Sequence, residues 1–320
     1  MHTPPISENG SQRPRGLHFI WVIVALVALA LLSIPTAAVF AVHRGNHGSS
    51  AQERVSLSNV GRPGGAAGSI AGAVPAAQDA LRLPDSLPPS AKAMNVPILM
   101  YHYVDAAPPS VGSHAGSLTV RTKEFQAQMD FLAQNGYHTV TLEQTYAAMA
   151  GLASLPAKPV VLTFDDGGLD DYTVAYPILR SHGFVATFFV ITAFVGEPNI
   201  MTWNQLREMQ MSGMAIESHT ARHSDLTKTT AASLRAELIQ SREAIEAQLG
   251  SAPLALAYPF GFYDQRVIDA TRAAGYLMAV TTHQSRRLAP GSVYSWPRVH
   301  VGGMGTLKDF ERSLGVAVTL

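Results

Sequence analysis

The sequence predicts an α/β fold of parallel strands, arranged either as a barrel or as an open doubly wound sheet. From residue 95 onward, short apolar runs alternate with segments of helical periodicity. The run PVVLTF at 159–164 is continuously apolar, which is typical of a strand buried on both faces. Polar residues follow several of these runs directly, and both architectures carry their active sites at the carboxyl ends of the strands.

Strands are predicted where short apolar runs end in polar residues or glycine. In chain order they fall at 96–102, 138–142, 159–164, 185–192, 214–218, 254–260, 276–282 and 298–301.

Helices are predicted where apolar residues recur at helical spacing between a capping residue and a glycine. Phe125, Met129 and Leu132 show this spacing before Gly136, and Thr202 precedes a second such segment. The predicted helices fall at 122–136, 171–183, 202–213, 230–250, 264–275 and 307–315.

Three further segments precede the α/β domain at 95–320. Residues 1–16 are polar and are expected to form a disordered cytoplasmic tail. Residues 17–42 form an uncharged apolar stretch long enough to cross a bilayer, which predicts a transmembrane signal anchor. Residues 43–94 are rich in Gly, Ala, Ser and Pro and predict a flexible linker.

The apolar stretch also predicts the location of the protein. An uncleaved anchor gives a single-pass membrane protein with its C-terminal domain outside the cytoplasm, either periplasmic or extracellular. The alternative is a signal peptide cut after the residues VFA at 39–41, which would give a secreted protein. The stretch exceeds the roughly 7–15 residues of a signal-peptide core, which favours the anchor.

Composition excludes several classes of function. The chain has 23 basic and 23 acidic residues, and this balance argues against a nucleic-acid-binding protein. The absence of cysteine excludes disulfides, thiolate metal sites and cysteine nucleophiles. The 12 histidines therefore supply the nitrogen ligands for any metal. No feature of the sequence indicates an oligomeric state.

Polar motifs follow four of the predicted strands. Asp165 and Asp166 follow the strand at 159–164, and His102 ends the strand at 96–102. The motif SHTARH at 218–223 begins at the end of the strand at 214–218, and YPFG at 258–261 lies at the end of the strand at 254–260. Each motif alone is typical of a turn or of a structural residue. Their joint position at strand ends places them on one rim of a parallel barrel and favours a functional site.

The spacing of His219 and His223 suggests a metal site. On a helical turn, residues four apart present both rings on one face. Two imidazoles and one carboxylate form a facial ligand set that leaves coordination positions open for water and substrate. A cation there would keep one of the adjacent aspartates, Asp165 and Asp166, ionised, and the other could accept a proton from water.

Three segments together carry a resemblance to a known family. TFDDG at 163–167, SHTARHSDL at 218–226 and AYPFGFYD at 257–264 resemble the motifs of the polysaccharide deacetylases, the NodB-homology carbohydrate esterases. VPILMYHYV at 96–104 is similar to a segment of the branch that includes the poly-N-acetylglucosamine deacetylases. The resemblance covers about residues 95–301 and implies a distorted parallel (β/α) barrel.

The resemblance implies a metal triad of Asp166, His219 and His223. Zn²⁺ is the expected cofactor, with Co²⁺, Ni²⁺ and Fe²⁺ as alternatives. Asp165 would be the general base that activates water for attack on an acetamide carbonyl. This assignment makes the chain a metal-dependent hydrolase of carbon–nitrogen bonds other than peptide bonds.

The resemblance also implies the remaining catalytic groups. The backbone N–H of Phe260 would stabilise the oxyanion together with the metal. His102 would protonate the leaving amine, because the C-terminal Leu-x-x-His segment that serves this role in most of the family is absent. His300 is the rival for this role, followed by His283.

The chain departs from the family pattern at three places. Gly168 stands where many relatives have an aromatic residue, so one wall of the groove is expected to be missing. Glu217 replaces a usual glycine and is either a partner of a ligating histidine or a solvated charge. The arginine that often orients the base upstream of the Tyr-Pro motif is absent from SAPLALAYPF at 251–260, so the base must be held differently.

Other polar and aromatic residues near the motifs admit two interpretations. Tyr103, Phe262 and Tyr263 either stack on sugar rings or pack in the core, and packing is favoured for Trp203. Asp170 and Asp171 are expected at the start of the following helix, where carboxylates are favourable.

The sequence thus predicts a membrane-anchored N-deacetylase that acts on an N-acetylglucosamine-containing polysaccharide or oligosaccharide. The alternatives are an O-acetyl esterase or small amidase on the same scaffold, and an inactive sugar-binding protein of the envelope.

Overall fold

A computed structural model of the chain describes residues 82–105, 117–303 and 305–316. The predicted tail at 1–16, the predicted transmembrane segment at 17–42 and most of the predicted linker at 43–94 lie outside these residues. No helix within the described ranges has the length and apolar character needed to cross a membrane.

A curled parallel sheet forms the centre of the described fold. The strands are β1 Met94–Asn95, β2 Ile98–Tyr101, β3 Tyr103–Asp105, β4 Thr119–Arg121, β5 His138–Thr139, β6 Pro159–Phe164, β7 Thr187–Val190, β8 Ala215–Ser218, β9 Ala255–Ala257, β10 Met278–Val280, β11 Arg287–Leu288 and β12 Val299–His300. Within the described ranges, seven of them pair in parallel in the order β10, β9, β8, β7, β6, β2 and β12. Strand β5 adds to β6, and β1–β11 and β3–β4 form separate pairs.

Residues 296–301 connect the two edges of this sheet. On one side, the N–H of Thr281 donates to the carbonyl of Trp296 at 3.0 Å, beside the end of β10. On the other side, the N–H of Val301 donates to the carbonyl of Met100 in β2 at 2.9 Å. Hydrogen bonds on both sides of one segment favour the curled barrel over the open doubly wound sheet.

Helices separate most of the parallel strands. They are α1 Thr122–Gln134, α2 Leu142–Met149, α3 Tyr176–Ser181, α4 Trp203–Met211, α5 Ala231–Leu249, α6 Gln265–Ala273 and α7 Leu307–Ser313. Five residues at the start of the predicted helix 171–183 form a π-helical turn, Asp171–Ala175, ahead of α3. The predicted cap of α4 is confirmed, because Thr202 accepts a hydrogen bond from the N–H of Gln205. Thr230 caps α5 in the same way by accepting from the N–H of Ser233.

The predicted strand at 138–142 is too long, and the helix after it was not predicted. Strand β5 ends at Thr139, and Thr141 caps α2 through a reciprocal pair of bonds with Gln144. A capping box of this kind stabilises a helix start even where apolar alternation suggests a strand.

Buried aromatic rings join the strands that lead into the site. The ring of Phe164 stacks on Tyr101 at a centroid distance of 5.1 Å and on Phe188 at 4.8 Å. All three rings are fully buried, and they come from β6, β2 and β7. Because Tyr101 precedes His102 and Phe164 precedes Asp165, this packing holds the polar residues that follow at defined positions.

Candidate active site

Polar residues of the site follow the ends of four parallel strands, as the sequence predicted. His102 follows β2, Asp165 and Asp166 follow β6, and His219 follows β8. The segment that contains Phe260 begins directly after β9. Strands β2, β6, β8 and β9 run in parallel in one sheet, so these residues lie on the same rim.

Asp166, His219 and His223 converge into one cluster. The Oδ1 atom of Asp166 lies 3.6 Å from Nε2 of His219 and 3.7 Å from Nε2 of His223. The two imidazole rings are 4.7 Å apart between centroids. One ligand atom from each of the three residues lies within 4.8 Å of the others, so the side chains can surround a single ion.

The two histidines do not lie on a helical turn, and that part of the prediction is wrong. Residues 219–223 form a loop in which Thr220 has φ 68° and His223 has φ 59°. The N–H of His223 donates to Oγ1 of Thr220 at 3.0 Å, which stabilises the loop. The rings converge because the chain reverses between them rather than because of helical spacing.

Hydrogen bonding fixes the tautomer of His219. Its Nδ1 lies 2.8 Å from the carbonyl oxygen of Ala257, at the end of β9. A carbonyl oxygen only accepts hydrogen bonds, so Nδ1 carries the proton and Nε2 presents a lone pair towards Asp166. Burial lowers the pKa of His219, although Asp165 and Asp166 oppose this effect, and the neutral imidazole is the form that binds a metal.

The cluster fits a zinc-type ion. Zinc takes imidazole nitrogen and carboxylate oxygen at about 2.0–2.2 Å, and two ligands at such distances in a tetrahedron stand roughly 3.3–3.5 Å apart. The separations of 3.6 and 3.7 Å are close to this value. A metal-binding histidine in a protein usually donates a hydrogen bond from its second ring nitrogen, and the carbonyl of Ala257 accepts that bond from His219.

Arg298 holds Asp165, and sequence reasoning missed this residue. Its Nη1 and Nη2 atoms donate to Oδ1 and Oδ2 of Asp165 at 2.7 and 2.6 Å. Arg298 itself is fully buried and also donates from Nε to the carbonyl of Thr281 at 3.0 Å. The segment SAPLALAYPF at 251–260 contains no arginine that could orient the base, and Arg298 takes this place. The two residues are 133 positions apart, and no spacing signal connects them.

The ion pair keeps Asp165 ionised. Burial alone would raise the pKa of its carboxyl group, but the charge of Arg298 and its hydrogen bonds hold that pKa well below the usual value. Asp165 is 2% exposed, so solvent screens this pair very little.

His102 lies beside Asp165, with Nε2 of its ring 4.0 Å from Oδ2 of the carboxylate. Burial lowers the pKa of His102, against the opposing effect of Asp165. His300, the rival acid, is 6.2 Å from His102 between ring centroids, and burial lowers its pKa as well. The ring of His283 packs 5.8 Å from Tyr263, and no contact in the described ranges joins it to Asp165.

Phe260 occupies an exposed turn next to the cluster. Its backbone has φ 59°, its side chain is 54% exposed, and its ring lies 4.6 Å from that of His223. The neighbouring N–H groups of Gly261 and Phe262 donate to Tyr258 and Pro259. The N–H of Phe260 has no acceptor among the described residues, and is therefore free to bind a ligand.

Backbone strain concentrates at the site. Six non-glycine residues in the described ranges have positive φ. Four of them, Asp166, Thr220, His223 and Phe260, lie in the cluster or in its flanking turns. Such conformations cost free energy and are retained where the surrounding structure needs them, which is typical of functional sites.

Both interpretations of Glu217 from sequence are wrong. The side chain is buried, and its Oε2 accepts the N–H groups of Leu254 and Ala255 at 2.8 and 2.6 Å. Its interactions are with the start of β9 and with Glu143, not with a histidine or solvent. Burial raises the pKa of Glu217 well above its usual value, and the nearby Glu143 adds to this effect.

The two aspartates lie at the start of a helical segment, as predicted, since Asp170 precedes the π-helical turn and Asp171 is its first residue. Oδ2 of Asp170 accepts the N–H of Val104 at 2.6 Å, which ties strand β3 to the loop. Asp171 lies in the first turn of the π-helix but is fully buried, and neither of its carboxylate oxygens has a partner in the described part of the chain. Burial raises the pKa of this group well above its usual value.

The aromatic residues divide between packing and the site. Trp203 is partly buried against the core, which confirms the packing interpretation. Tyr263 stacks on Tyr258 at 5.4 Å, and Phe262 is 51% exposed and 5.9 Å from Phe260. Tyr103 donates from its hydroxyl to Oδ2 of Asp166 at 2.9 Å.

Comparison with known proteins gives a family profile and several similar proteins. A sequence profile described as polysaccharide deacetylase matches residues 153–279, the range that contains Asp165, Asp166, His219, His223 and Phe260. YxkH of Bacillus subtilis (strain 168), a protein assigned to the polysaccharide deacetylases, is 34% identical over 210 residues, which are 66% of this chain and 72% of YxkH.

Two further proteins are similar. The poly-beta-1,6-N-acetyl-D-glucosamine N-deacetylase of Staphylococcus aureus (strain MSSA476) is 26% identical over 196 residues, which are 57% of this chain and 67% of that protein. The structure of the Streptococcus pyogenes deacetylase PplD in complex with acetate superposes with a TM-score of 0.65 at 28% identity. That superposition covers 69% of this chain and 98% of PplD.

Proposed function

Because the chain belongs to the polysaccharide deacetylase family, we propose that it hydrolyses acetamide groups of an N-acetylglucosamine-containing polysaccharide or oligosaccharide, with a bound metal ion. The observation that carries this proposal is the ionised carboxylate of Asp165 next to the Asp166–His219–His223 cluster. That arrangement combines a ligand set for a divalent cation with a base that is not needed as a ligand. A divalent cation held there, Zn²⁺ in our proposal, supplies Lewis-acid activation of water and of the acetamide carbonyl.

Asp165 is the proposed general base. Arg298 occupies one lone-pair direction on each carboxylate oxygen, and the remaining lone pairs can accept a proton from the attacking water. The lowered pKa of Asp165 makes it a weak base that is ionised at neutral pH. A weak base is effective only towards a water whose own acidity is increased, so the base and the ligand cluster depend on each other.

Phe260 is the proposed oxyanion donor. Its backbone N–H has no acceptor among the described residues, and its turn is fixed by the bonds of Gly261 and Phe262. A donor that is positioned before the substrate binds stabilises the developing negative charge without reorganisation. The exposed rings of Phe260 and Phe262 beside it offer apolar faces to a sugar ring.

His102 is the proposed general acid for the leaving amine. Its ring lies next to Asp165, on the same rim as the ligand cluster. Asp165 favours the protonated imidazolium electrostatically, while burial disfavours it. Nε2 of His102 lies 4.0 Å from Oδ2 of Asp165, so the proposed acid and the proposed base are close together but not hydrogen-bonded to each other.

The substrate class is supported by two relatives. The S. aureus relative is named for the deacetylation of poly-beta-1,6-N-acetyl-D-glucosamine, and the PplD structure contains acetate, the product of such a reaction. Both likenesses cover more than half of this chain. They support an acetylated glucosamine polymer as the substrate to be tested first.

The test is a product assay with the full-length chain loaded with Zn²⁺. Incubation with poly-β-1,6-N-acetylglucosamine should release acetate and equal amounts of free amine, and the Asp165→Asn protein should release both at least about 100-fold more slowly. Acetate release from O-acetylated xylan alone would replace this proposal with an esterase. Hydrolysis of small imides alone would indicate an amidase, and sugar binding without any release would indicate an inactive binding protein.

We also propose that the apolar residues 17–42 anchor the protein in a membrane, with the catalytic domain outside the cytoplasm. The support is the length of this uncharged stretch, followed by the Gly- and Pro-rich residues 43–94. The protein should remain in the membrane fraction after alkaline carbonate extraction, and protease added outside cells should cut it. Recovery of a soluble protein that begins near residue 42 would instead show cleavage and secretion.

A further inference from the structure

We propose that Tyr103 is a positioning residue that orients Asp166 for metal binding and that its ring replaces the wall missing at Gly168. Its hydroxyl group donates to Oδ2 of Asp166 at 2.9 Å. Within the described ranges, this is the single hydrogen bond that holds the Asp166 side chain, apart from its contacts with the two histidines.

The two carboxylate oxygens of Asp166 have different surroundings. Oδ1 lies 3.6 and 3.7 Å from the Nε2 atoms of His219 and His223, whereas Oδ2 accepts the hydrogen bond from Tyr103. A bond to Oδ2 restricts rotation about the Cβ–Cγ bond and leaves Oδ1 directed at the imidazoles. Tyr103 thereby selects which oxygen of Asp166 faces the ion, which is how outer partners of metal-binding carboxylates act.

Asp166 lies on a turn outside the regular strand. Asp166 has φ 74°, in the left-handed region, where it follows strand β6 without being part of it. A side chain on a turn of this kind is not held by the packing of a strand. The hydroxyl of Tyr103 supplies a restraint from a different element, strand β3.

Strand β3 is itself attached to the loop after Asp166. Tyr103 pairs with Thr119 of β4, and the next residue, Val104, donates its N–H to Oδ2 of Asp170 at 2.6 Å. Two connections therefore join β3 to the segment 166–170, one through Asp166 and one through Asp170. This double attachment holds the hydroxyl of Tyr103 at a defined distance from the carboxylate.

The ring of Tyr103 also lies against Gly168. A Cβ atom added at Gly168 would come 3.5 Å from Cδ1 of Tyr103 and would overlap Oδ1 of Asp170. Tyr103 and Asp170 thus lie next to the position where the side chain of a larger residue at 168 would begin. The aromatic surface expected from residue 168 is supplied instead by strand β3, next to the ligand cluster.

The first test separates the hydrogen bond from the ring. Tyr103→Phe removes the hydroxyl and keeps the aromatic surface. Tyr172→Phe is the matched control, since the hydroxyl of Tyr172 also donates to a carboxylate, Oε2 of Glu208 at 2.7 Å, at an exposed position. We expect the Zn²⁺ affinity of the full-length Tyr103→Phe protein to fall about 10- to 100-fold in titrations against a competing chelator. Thermal unfolding of the metal-free proteins serves as the check on folding.

In that titration, the Tyr172→Phe protein should bind Zn²⁺ within twofold of the parent. If Tyr103→Phe also binds within twofold of the parent, Tyr103 does not position Asp166. If Tyr172→Phe lowers the affinity for Zn²⁺ as much as Tyr103→Phe does, the effect is not specific to Tyr103 and the positioning role is also excluded.

The second test concerns the ring and depends on the proposed function. Tyr103→Ala removes hydroxyl and ring together, so KM for an N-acetylglucosamine oligomer should rise at least tenfold above that of Tyr103→Phe, measured at saturating Zn²⁺. Equal KM values in the two variants would show that the ring of Tyr103 does not form a wall of the substrate groove. If the parent releases no acetate from any glycan, the proposed function fails, while the Zn²⁺ titration still decides whether Tyr103 positions Asp166.

Discussion

The guanidinium group of Arg298 donates two hydrogen bonds to the carboxylate of Asp165, Nη1 to Oδ1 at 2.7 Å and Nη2 to Oδ2 at 2.6 Å. Both side chains are buried, and they are 133 positions apart in the chain. Nη1 also donates to Oγ1 of Thr163 in β6, and Nε donates to the carbonyl of Thr281. The proposed base is therefore held by the segment that connects the two edges of the sheet. The position and the charge of Asp165 thus depend on closure of the barrel.

Replacing Arg298 by Met should destabilise the fold. The change leaves a buried carboxylate without its partner, which typically costs about 3–5 kcal/mol of unfolding free energy. The pKa of Asp165 is lower in the folded than in the unfolded state, so the ion pair stabilises fully above the unfolded value of about 3.9 and loses its effect as the pH falls below it. Urea unfolding at pH 7 and pH 3 should show a large difference between parent and variant at pH 7 and a smaller one at pH 3.

Arg312→Met is the control for that experiment. Arg312 pairs with Asp309, but 58% of its side chain is exposed, and exposed pairs of this kind contribute little to stability. An Arg298→Met protein as stable at pH 7 as the Arg312→Met protein would contradict the importance of the buried pair.

Asp165→Asn should separate binding of the metal from catalysis. The amide cannot accept a proton from water, so the rate of acetate release should fall by about 10²- to 10⁴-fold. Zn²⁺ content per protein, measured by elemental analysis, should equal that of the parent, because Asp165 is not in the ligand cluster. Asp269→Asn, an exposed change, is the control. Turnover by Asp165→Asn at the parent rate would show that another group is the base.

His219→Ala should abolish stable metal binding. Loss of an outer partner alone weakens metal affinity about 10- to 100-fold, and loss of a ligand should weaken it by more than about 100-fold. His138→Ala, which removes an exposed histidine that pairs with the carbonyl of Ala157, should bind Zn²⁺ like the parent. Full occupancy by Zn²⁺ in dialysed His219→Ala protein would overturn the proposed ligand set.

The leaving group can distinguish His102 from His300 as the general acid. An amine must be protonated to leave, whereas the nitrophenolate of an activated acetate ester leaves without a proton. His102→Ala should therefore slow hydrolysis of an acetamide by about 10²-fold or more and slow that of 4-nitrophenyl acetate much less. The reverse pattern, with the selective loss in His300→Ala, would transfer the role to His300.

Glu217→Gln should change how stability depends on pH. The folded pKa of Glu217 is raised above its unfolded value of about 4.3, so the folded state binds the proton more tightly and the parent loses stability as the pH rises above that value. Glutamine keeps an oxygen to accept the N–H groups of Leu254 and Ala255 and has no charge to bury. In urea unfolding, the free energy of unfolding of the variant should increase relative to that of the parent between pH 5 and pH 8. A difference that is the same at both pH values would contradict the raised pKa.

Residues next to strand ends could be predicted from sequence, because the ends of parallel strands meet on one rim. Asp165, Asp166, His102 and the two histidines of SHTARH were found in this way, and the structure brings Asp166, His219 and His223 together. The i, i+4 spacing of the histidines suggested a helical turn, but two left-handed residues make that segment a loop. Left-handed conformations at Thr and His carry no signal in composition or periodicity.

Contacts between distant segments could not be predicted in the same way. Arg298 reaches Asp165 across 133 residues only because the sheet curls until its two edges meet. Tyr103 reaches Asp166 because β3 is attached to the loop through Asp170. Glu217 was assigned to a histidine or to solvent because the sequence does not show that its neighbour in space is the start of β9. Each of these contacts joins segments that are distant in the sequence, so local sequence does not reveal it.

The most direct test of the proposed site is a crystal structure of the protein grown with Zn²⁺, with diffraction data collected at the zinc absorption edge. A single anomalous peak about 2.0–2.2 Å from Oδ1 of Asp166 and from the Nε2 atoms of His219 and His223 is predicted, with Asp165 still paired to Arg298. Anomalous density only elsewhere, or these three side chains turned away from one another in the presence of Zn²⁺, would contradict the proposed metal site and the hydrolysis that depends on it.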